Sequence, residues 1–181
     1  MARAGADSDM RRHVSAYSLG LYEKAMPTAL SWGEKLESAY RSGFDFLEIS
    51  IDETDEKLSR LEWGENEFRE LEDAMRASGC YVRSLCLSGH RRFPLGSKDK
   101  AKRTRSLDIM EHAVEFAWRL GIRVIQLAGY DEYYEEGDDE TSRLFGDGLE
   151  ICAEMAARRG VLLAFETMET PFMDTVAKAA E

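Results

Sequence analysis

The sequence predicts an α/β fold assembled from about five βα units in simple succession. Three observations predict it. A helical segment, a glycine and a strand-like run recur four times, at Gly43, Gly79, Gly121 and Gly160. Those glycines lie 36, 42 and 39 residues apart, the span of a βα unit with its loops. The last run, Val161-Leu162-Leu163-Ala164-Phe165, is apolar throughout, as in a buried parallel strand, and ends abruptly in Glu166.

The elements follow in order. A first strand is expected over 17–23 and a helix over 31–42, with Ser31 placed to cap it. A second strand covers 44–51. The helix over 65–78 carries Phe68, Leu71 and Met75 on one face. A third strand covers 80–87. The helix over 99–120, for which Ser97 is a candidate cap, spaces Leu107, Met110, Val114 and Ala117 for one buried face. A fourth strand covers 122–128. The helix over 140–159 is expected to pack through Leu144, Leu149, Cys152 and Met155. A fifth strand begins at Val161 and a short helix near Phe172. Each recurring glycine follows a helix, where a left-handed residue ends the last turn at low cost. Residues 1–14 read as a loose polar tail and 15–181 as one domain.

Uniform βα repetition suits either a doubly wound sheet or a (β/α)₈ barrel. Leu21-Tyr22-Glu23-Lys24 follows the first strand where a dinucleotide fold would carry its glycine-rich turn, which lowers that option. A full barrel takes about 250 residues; this chain has 181, so an incomplete barrel of about five units is expected.

Composition narrows the function. Hydrophobic residues make up 44% and charged residues 33%, a globular balance. A net charge of −11 argues against nucleic acid as partner and leaves room for a small anionic substrate in a local basic pocket. No apolar stretch is long enough for a membrane span, and the cytoplasm is the default location. Cys80, Cys86 and Cys152 lack metal-site spacing and read as small core residues in a reducing compartment.

Strand alternation then sorts the site. With Leu47, Ile49, Leu85, Leu87, Ile125 and Leu127 facing the helices, Tyr22, Glu48, Ser50, Ser88, His90, Gln126 and Glu166 face the other way. Carboxyl ends of strands are where α/β folds bind ligands. Glu166 is the expected centre, because a carboxylate on a buried strand needs a metal, a cation or a proton to offset its desolvation. Ser88-Gly89-His90-Arg91-Arg92 brings a basic loop to the same end. It reads either as an anion subsite or as surface charge paired with Asp52, Glu53 and Asp55. The acidic run 131–140 reads as a rim loop that caps the next helix, with tyrosines able to wall a sugar site.

Several motifs resemble the L-ribulose-5-phosphate 3-epimerases (L-xylulose-5-phosphate 3-epimerases), within the xylose-isomerase-like barrels. They are Leu19-Gly20-Leu21-Tyr22-Glu23-Lys24-Ala25, Phe44-Asp45-Phe46-Leu47-Glu48 with Asp52-Glu53-Thr54-Asp55, Cys86-Leu87-Ser88-Gly89-His90-Arg91-Arg92-Phe93-Pro94-Leu95-Gly96-Ser97, and Gly121-Ile122-Arg123-Val124-Ile125-Gln126-Leu127-Ala128-Gly129-Tyr130. The resemblance implies a (β/α)₈ barrel and metal-dependent epimerisation of a ketopentose 5-phosphate at C3. It implies a divalent metal (Zn, Mn or Mg) held by four residues of the last four strands. Glu166 matches the first of them, as ligand and base; three ligands and the second base belong to strands this sequence lacks.

The expected partner is a small phosphorylated sugar, contacted by Tyr22, Glu48, Ser88, His90, Arg91, Arg92 and Gln126. Two rival readings stand. One is an inactive truncated half-barrel or a non-enzymatic module that dimerises. The other is a metal-dependent nuclease of the same superfamily, against which the acid excess counts.

Overall fold

The computed structural model describes residues 17–180. The expected tail, residues 1–14, lies outside them. Five parallel strands form one sheet: β1 (Gly20–Tyr22), β2 (Phe46–Ile51), β3 (Tyr81–Leu87), β4 (Val124–Ala128) and β5 (Leu162–Glu166). They lie in chain order, β1-β2-β3-β4-β5. A doubly wound sheet reverses its order at a switch point; this one does not, and its strands run as the arc of a barrel. Among the described residues β1 and β5 are the open edges.

The helices are α1 (Trp32–Arg41), α2 (Asp55–Leu58), α3 (Glu65–Ser78), α4 (Lys100–Arg119), α5 (Asp139–Arg158) and α6 (Val176–Ala179). Ser31 caps α1 through a reciprocal pair, its Oγ accepting from Glu34 N–H while the Glu34 carboxylate accepts from Ser31 N–H at 2.8 Å. Asp99, not Ser97, caps α4: its carboxylate accepts from Ala101 N–H at 2.8 Å, because Ser97 has turned inward and is 3% exposed. The short α2 was not expected; Thr54 caps it at the end of an acidic stretch that carries no apolar period. The strands begin later than expected, since the residues after each glycine carry the chain from the helical layer to the sheet.

Gly43, Gly79, Gly121 and Gly160 have φ of +86°, +71°, +71° and +65°, and no other described residue has positive φ. The recurring glycine is thus a backbone requirement of the unit.

The helices cover one face of the sheet. Leu47, Ile49, Ile51, Leu85, Leu87, Ile125 and Leu127 pack there with Leu36, Leu71, Ile109, Met110 and Phe145, all nearly or fully buried. A bulge at Arg83 lets Val82 and Leu85, three residues apart, both face this core. The face of α5 turned to the core is Thr141, Phe145, Cys152 and Ala156. Of the four residues expected there, Cys152 is buried, while Leu144, Leu149 and Met155 are half-buried at its margin. The opposite sheet face is open, and Leu162 on it is 67% exposed.

One buried ionic cluster ties the start of the arc together. Glu23, 2% exposed, follows β1 and meets three cations that are each less than 10% exposed. Lys35 Nζ of α1 lies 3.2 Å and Lys57 Nζ of α2 2.7 Å from Glu23 Oε1. Arg60 grips both carboxylate oxygens, at 2.6 and 2.7 Å, and donates to the Ser50 carbonyl at 3.1 Å. The Ser50 N–H donates to Glu23 Oε2 at 3.0 Å. The Trp32 ring lies 5.0 Å from Lys35 Nζ and 4.9 Å from the Arg60 guanidinium carbon. Burial alone would raise the Glu23 pKa; the bonds from Arg60, Lys57 and the Ser50 amide outweigh it and hold the carboxyl far below the usual range.

Removing that charge leaves three buried cations uncompensated. Glu23→Gln is expected to cost about 3–5 kcal/mol in urea unfolding. A depressed carboxyl stabilises above its unfolded pKa and loses that contribution as pH falls toward its folded value. The variant's stability therefore falls less steeply below about pH 4 than the parent's; equal stability at neutral pH would refute the role.

Candidate active site

The register of the sheet assembles the polar set. Tyr22, Glu48 and Ser84 share one cross-strand row. Ser50, Cys86, Gln126 and Ala164 share the next. Ala128 and Glu166 pair in the third. Alternation turns all of these to the open face.

Cys86 is where they meet. The Tyr22 hydroxyl lies 3.1 Å from Ser50 Oγ and within reach of the Cys86 thiol. Burial raises the pKa of Cys86; Tyr22 pulls it down, and the charges of Glu48 and Glu166 push it up. Carboxylates of β2 and β5 thus act on one thiol between them. Burial also raises the Tyr22 hydroxyl, so at neutral pH this end holds a protonated phenol and a protonated thiol. Glu48 accepts from Ser84 Oγ at 2.7 Å. Gln126 is half-buried between Cys86 and Ala164. Ser88, 7% exposed, extends the β2–β3 pairing by donating its N–H to Ile51 O at 2.9 Å.

Two expected contacts are not brought here. His90 is 3% exposed and packs against α4, its Nε2 3.1 Å from the Ser106 carbonyl. The strand ends at Leu87, and the 3₁₀ turn Gly89–Arg91 rotates successive side chains by about 120° instead of alternating them. Burial lowers the His90 pKa to about 4, against a weaker opposing bond to Ser106. Arg92 lies at the surface, its Nη1 2.6 Å from Asp55 Oδ1, which is the ion-paired reading of the basic loop.

Arg91 remains at the site, in company that alternation could not reveal. Its guanidinium carbon stacks 4.7 Å from the centroid of the Tyr133 ring, which packs 5.2 Å from that of Tyr130. Tyr134 donates to both Glu53 oxygens, at 2.8 and 3.0 Å, joining the loop after β4 to the loop after β2. The rest of the acidic run folds as a rim: Asp138 caps α5 by accepting from Glu140 and Thr141 N–H, each at 3.0 Å. Alternation turns Cys86 inward, and the tyrosines of the run are expected as a wall; what the sequence does not signal is the stacking of Arg91 on Tyr133.

The loop after Glu166 is fixed from the neighbouring strand. Gly129 N–H donates to the Glu166 carbonyl at 3.0 Å, and Met168 N–H donates to the Met173 carbonyl at 2.9 Å. A Cβ on Gly129 would come within 2.9–3.0 Å of the Met173 side chain.

Among the described residues no group of three or more His, Cys, Asp or Glu side chains is placed to hold a metal ion. Divalent cations take several oxygen or nitrogen ligands. Glu166 offers one carboxylate, so these residues do not by themselves fit such an ion. No described helix is long and apolar enough to cross a membrane.

Because His90 is buried neutral, the unfolded chain binds its proton more readily than the native one between about pH 4 and 6.5. Stability should rise with pH across that window. The rise should be shallower in His90→Asn, measured by urea unfolding at several pH values; an unchanged slope would place the titration elsewhere.

The chain and its fold have counterparts among known proteins. A family profile described as Xylose isomerase-like TIM barrel matches residues 36–181. The chain is 53% identical over 161 residues to L-ribulose-5-phosphate 3-epimerase UlaE of Escherichia coli, covering 89% of this chain and 57% of that protein. It thus spans a little over half the length of that relative. D-psicose 3-epimerase from Clostridium cellulolyticum, solved with D-tagatose, superposes with a TM-score of 0.74 at 15% identity, over 90% of this chain and 57% of that one. A xylose isomerase-like TIM barrel protein from Mycobacterium smegmatis, solved in complex with magnesium, superposes with a TM-score of 0.62 at 13% identity, over 82% and 50%.

Proposed function

The chain belongs to the xylose isomerase-like TIM barrel family, and from that premise we propose that it serves 3-epimerisation of a ketopentose 5-phosphate, L-ribulose 5-phosphate or L-xylulose 5-phosphate. The observation that carries this is the 53% identity to a relative with that activity in its name. The polar face to which the strands of this sheet contribute, Glu166 among them, supports it.

The chemistry follows from the substrate. The proton on C3 is acidified by the C2 ketone; its removal leaves an enediolate, and return to the other face inverts the centre. Glu166 stands exposed at the end of β5, which is not the buried strand expected from the sequence, and serves as the base on one side of C3. The resemblance puts the second base on a strand these residues do not contain. A divalent cation would need ligands besides Glu166, which would supply one of them. Tyr22 and Gln126 line the face as hydrogen-bonding contacts for sugar hydroxyls, with Ser88 at the rim. Their low net charge suits a polyol better than a second anion.

The purified chain is tested with L-xylulose 5-phosphate and Mn²⁺ or Zn²⁺, following L-ribulose 5-phosphate. Turnover at least about 10²-fold slower in Glu166→Gln supports the assignment; equal turnover in parent and variant removes Glu166 from it.

One observation favours a second reading, a module that pairs its open face with another copy: Leu162 on that face is 67% exposed. A dimer in size-exclusion chromatography that forms no product would favour that reading.

A further inference from the structure

Ser50 is fully buried, and both its backbone groups are engaged behind the sheet: its N–H donates to Glu23 and its carbonyl accepts from Arg60. Its hydroxyl lies on the open face, 3.1 Å from the hydroxyl of the half-buried Tyr22. Tyr22 belongs to the row below, paired with Glu48, and its phenol reaches up one row to Ser50 and to Cys86, which pairs with Ser50.

Each hydroxyl has one proton to give. If Tyr22 donated to Ser50, the serine proton would need a further acceptor, and among the described residues no other group bonds to that hydroxyl. If Ser50 donates to Tyr22, the phenol proton goes to the Cys86 sulfur, and neither proton is stranded. The order of donation is therefore Ser50 to Tyr22 to Cys86, across β2, β1 and β3. Sulfur is a weak acceptor, so a sugar oxygen brought to the same place would take the phenol proton in its stead. The serine donor is held by the Glu23 cluster before any ligand arrives, which lowers the ordering cost of binding.

We propose that Ser50 is a positioning residue for the substrate: by donating to the Tyr22 oxygen it aims the phenol proton at the place of Cys86, where a hydroxyl or carbonyl oxygen of the bound ketopentose replaces the thiol as acceptor. This rests on the reading of the open face as a sugar site and deepens it. Ser50 touches no substrate and acts through Tyr22 alone.

Cys86 is the reporter, being half-buried where Cys80 and Cys152 are fully buried. Alkylation of the folded, purified chain by iodoacetamide is followed at Cys86 by mass spectrometry, at one pH and with increasing L-xylulose 5-phosphate. The sugar phosphate is expected to protect the thiol in the parent. The half-protecting concentration should rise about fivefold in Tyr22→Phe and in Ser50→Ala, and Ser50→Ala should add nothing once Tyr22 is Phe. No protection of the parent, or the same half-protection in parent and Ser50→Ala, overturns the proposal. So does an equal loss from Ser50→Ala with and without the phenol hydroxyl, which is what a merely structural serine would give. If Ser50→Ala does not fold by circular dichroism, Tyr22→Phe decides: protection equal to the parent's overturns the proposal and weaker protection supports it. Protection as expected without any turnover overturns the epimerase reading and leaves the positioning role standing. Turnover with protection indifferent to Ser50 and Tyr22 does the reverse.

Discussion

One carboxylate among three cations sets the geometry at the beginning of the arc. Glu23 leaves β1, and the groups that hold it come from α1, α2 and the turn after α2. The same cluster clamps both backbone groups of Ser50, the amide through Glu23 and the carbonyl through Arg60. Tyr22 and Ser50, whose side chains touch on the open face, are thus neighbours of residues fixed behind the sheet. Desolvating four charges is costly, and their mutual attraction offsets it only while all four stay in place. An apolar replacement of the cluster could keep stability. It would not keep the directed bonds that position Ser50.

The sheet has two faces with different obligations. The helix-covered face is satisfied by packing: its aliphatic residues are buried and its ends are capped. The open face is polar in its middle rows and apolar at its β5 edge, where Leu162 stands exposed. The polar rows agree with a ligand-bearing surface, and the apolar edge with one that meets further protein. Both belong to a barrel interior, which is a packed core below and a binding mouth above.

Much of this was legible in the sequence because it follows from local rules. The left-handed glycines, the cap at Ser31 and the length of α3 are decided within a few residues, and the structure keeps them. Alternation placed Glu48, Ser50, Cys86, Gln126 and Glu166 on one face because a strand has a fixed period of two. It failed at His90, where the strand had already ended and the 3₁₀ turn imposed another rotation. Nor could it find the Glu23 cluster or the stack of Arg91 on Tyr133, which join residues 12 to 42 positions apart. Such partners are chosen by how loops cross in space, and no local period encodes that.

Gly129 bears on how the end of β5 is held. Its amide holds the carbonyl of Glu166, and the bare side of its Cα is filled by Met173 from the loop beyond. The backbone at the end of β5 and the loop after it are therefore tied to a residue without a side chain at the end of the next strand. Even the methyl of alanine would crowd the Met173 side chain at this place, a restraint that acts without any contact to a ligand.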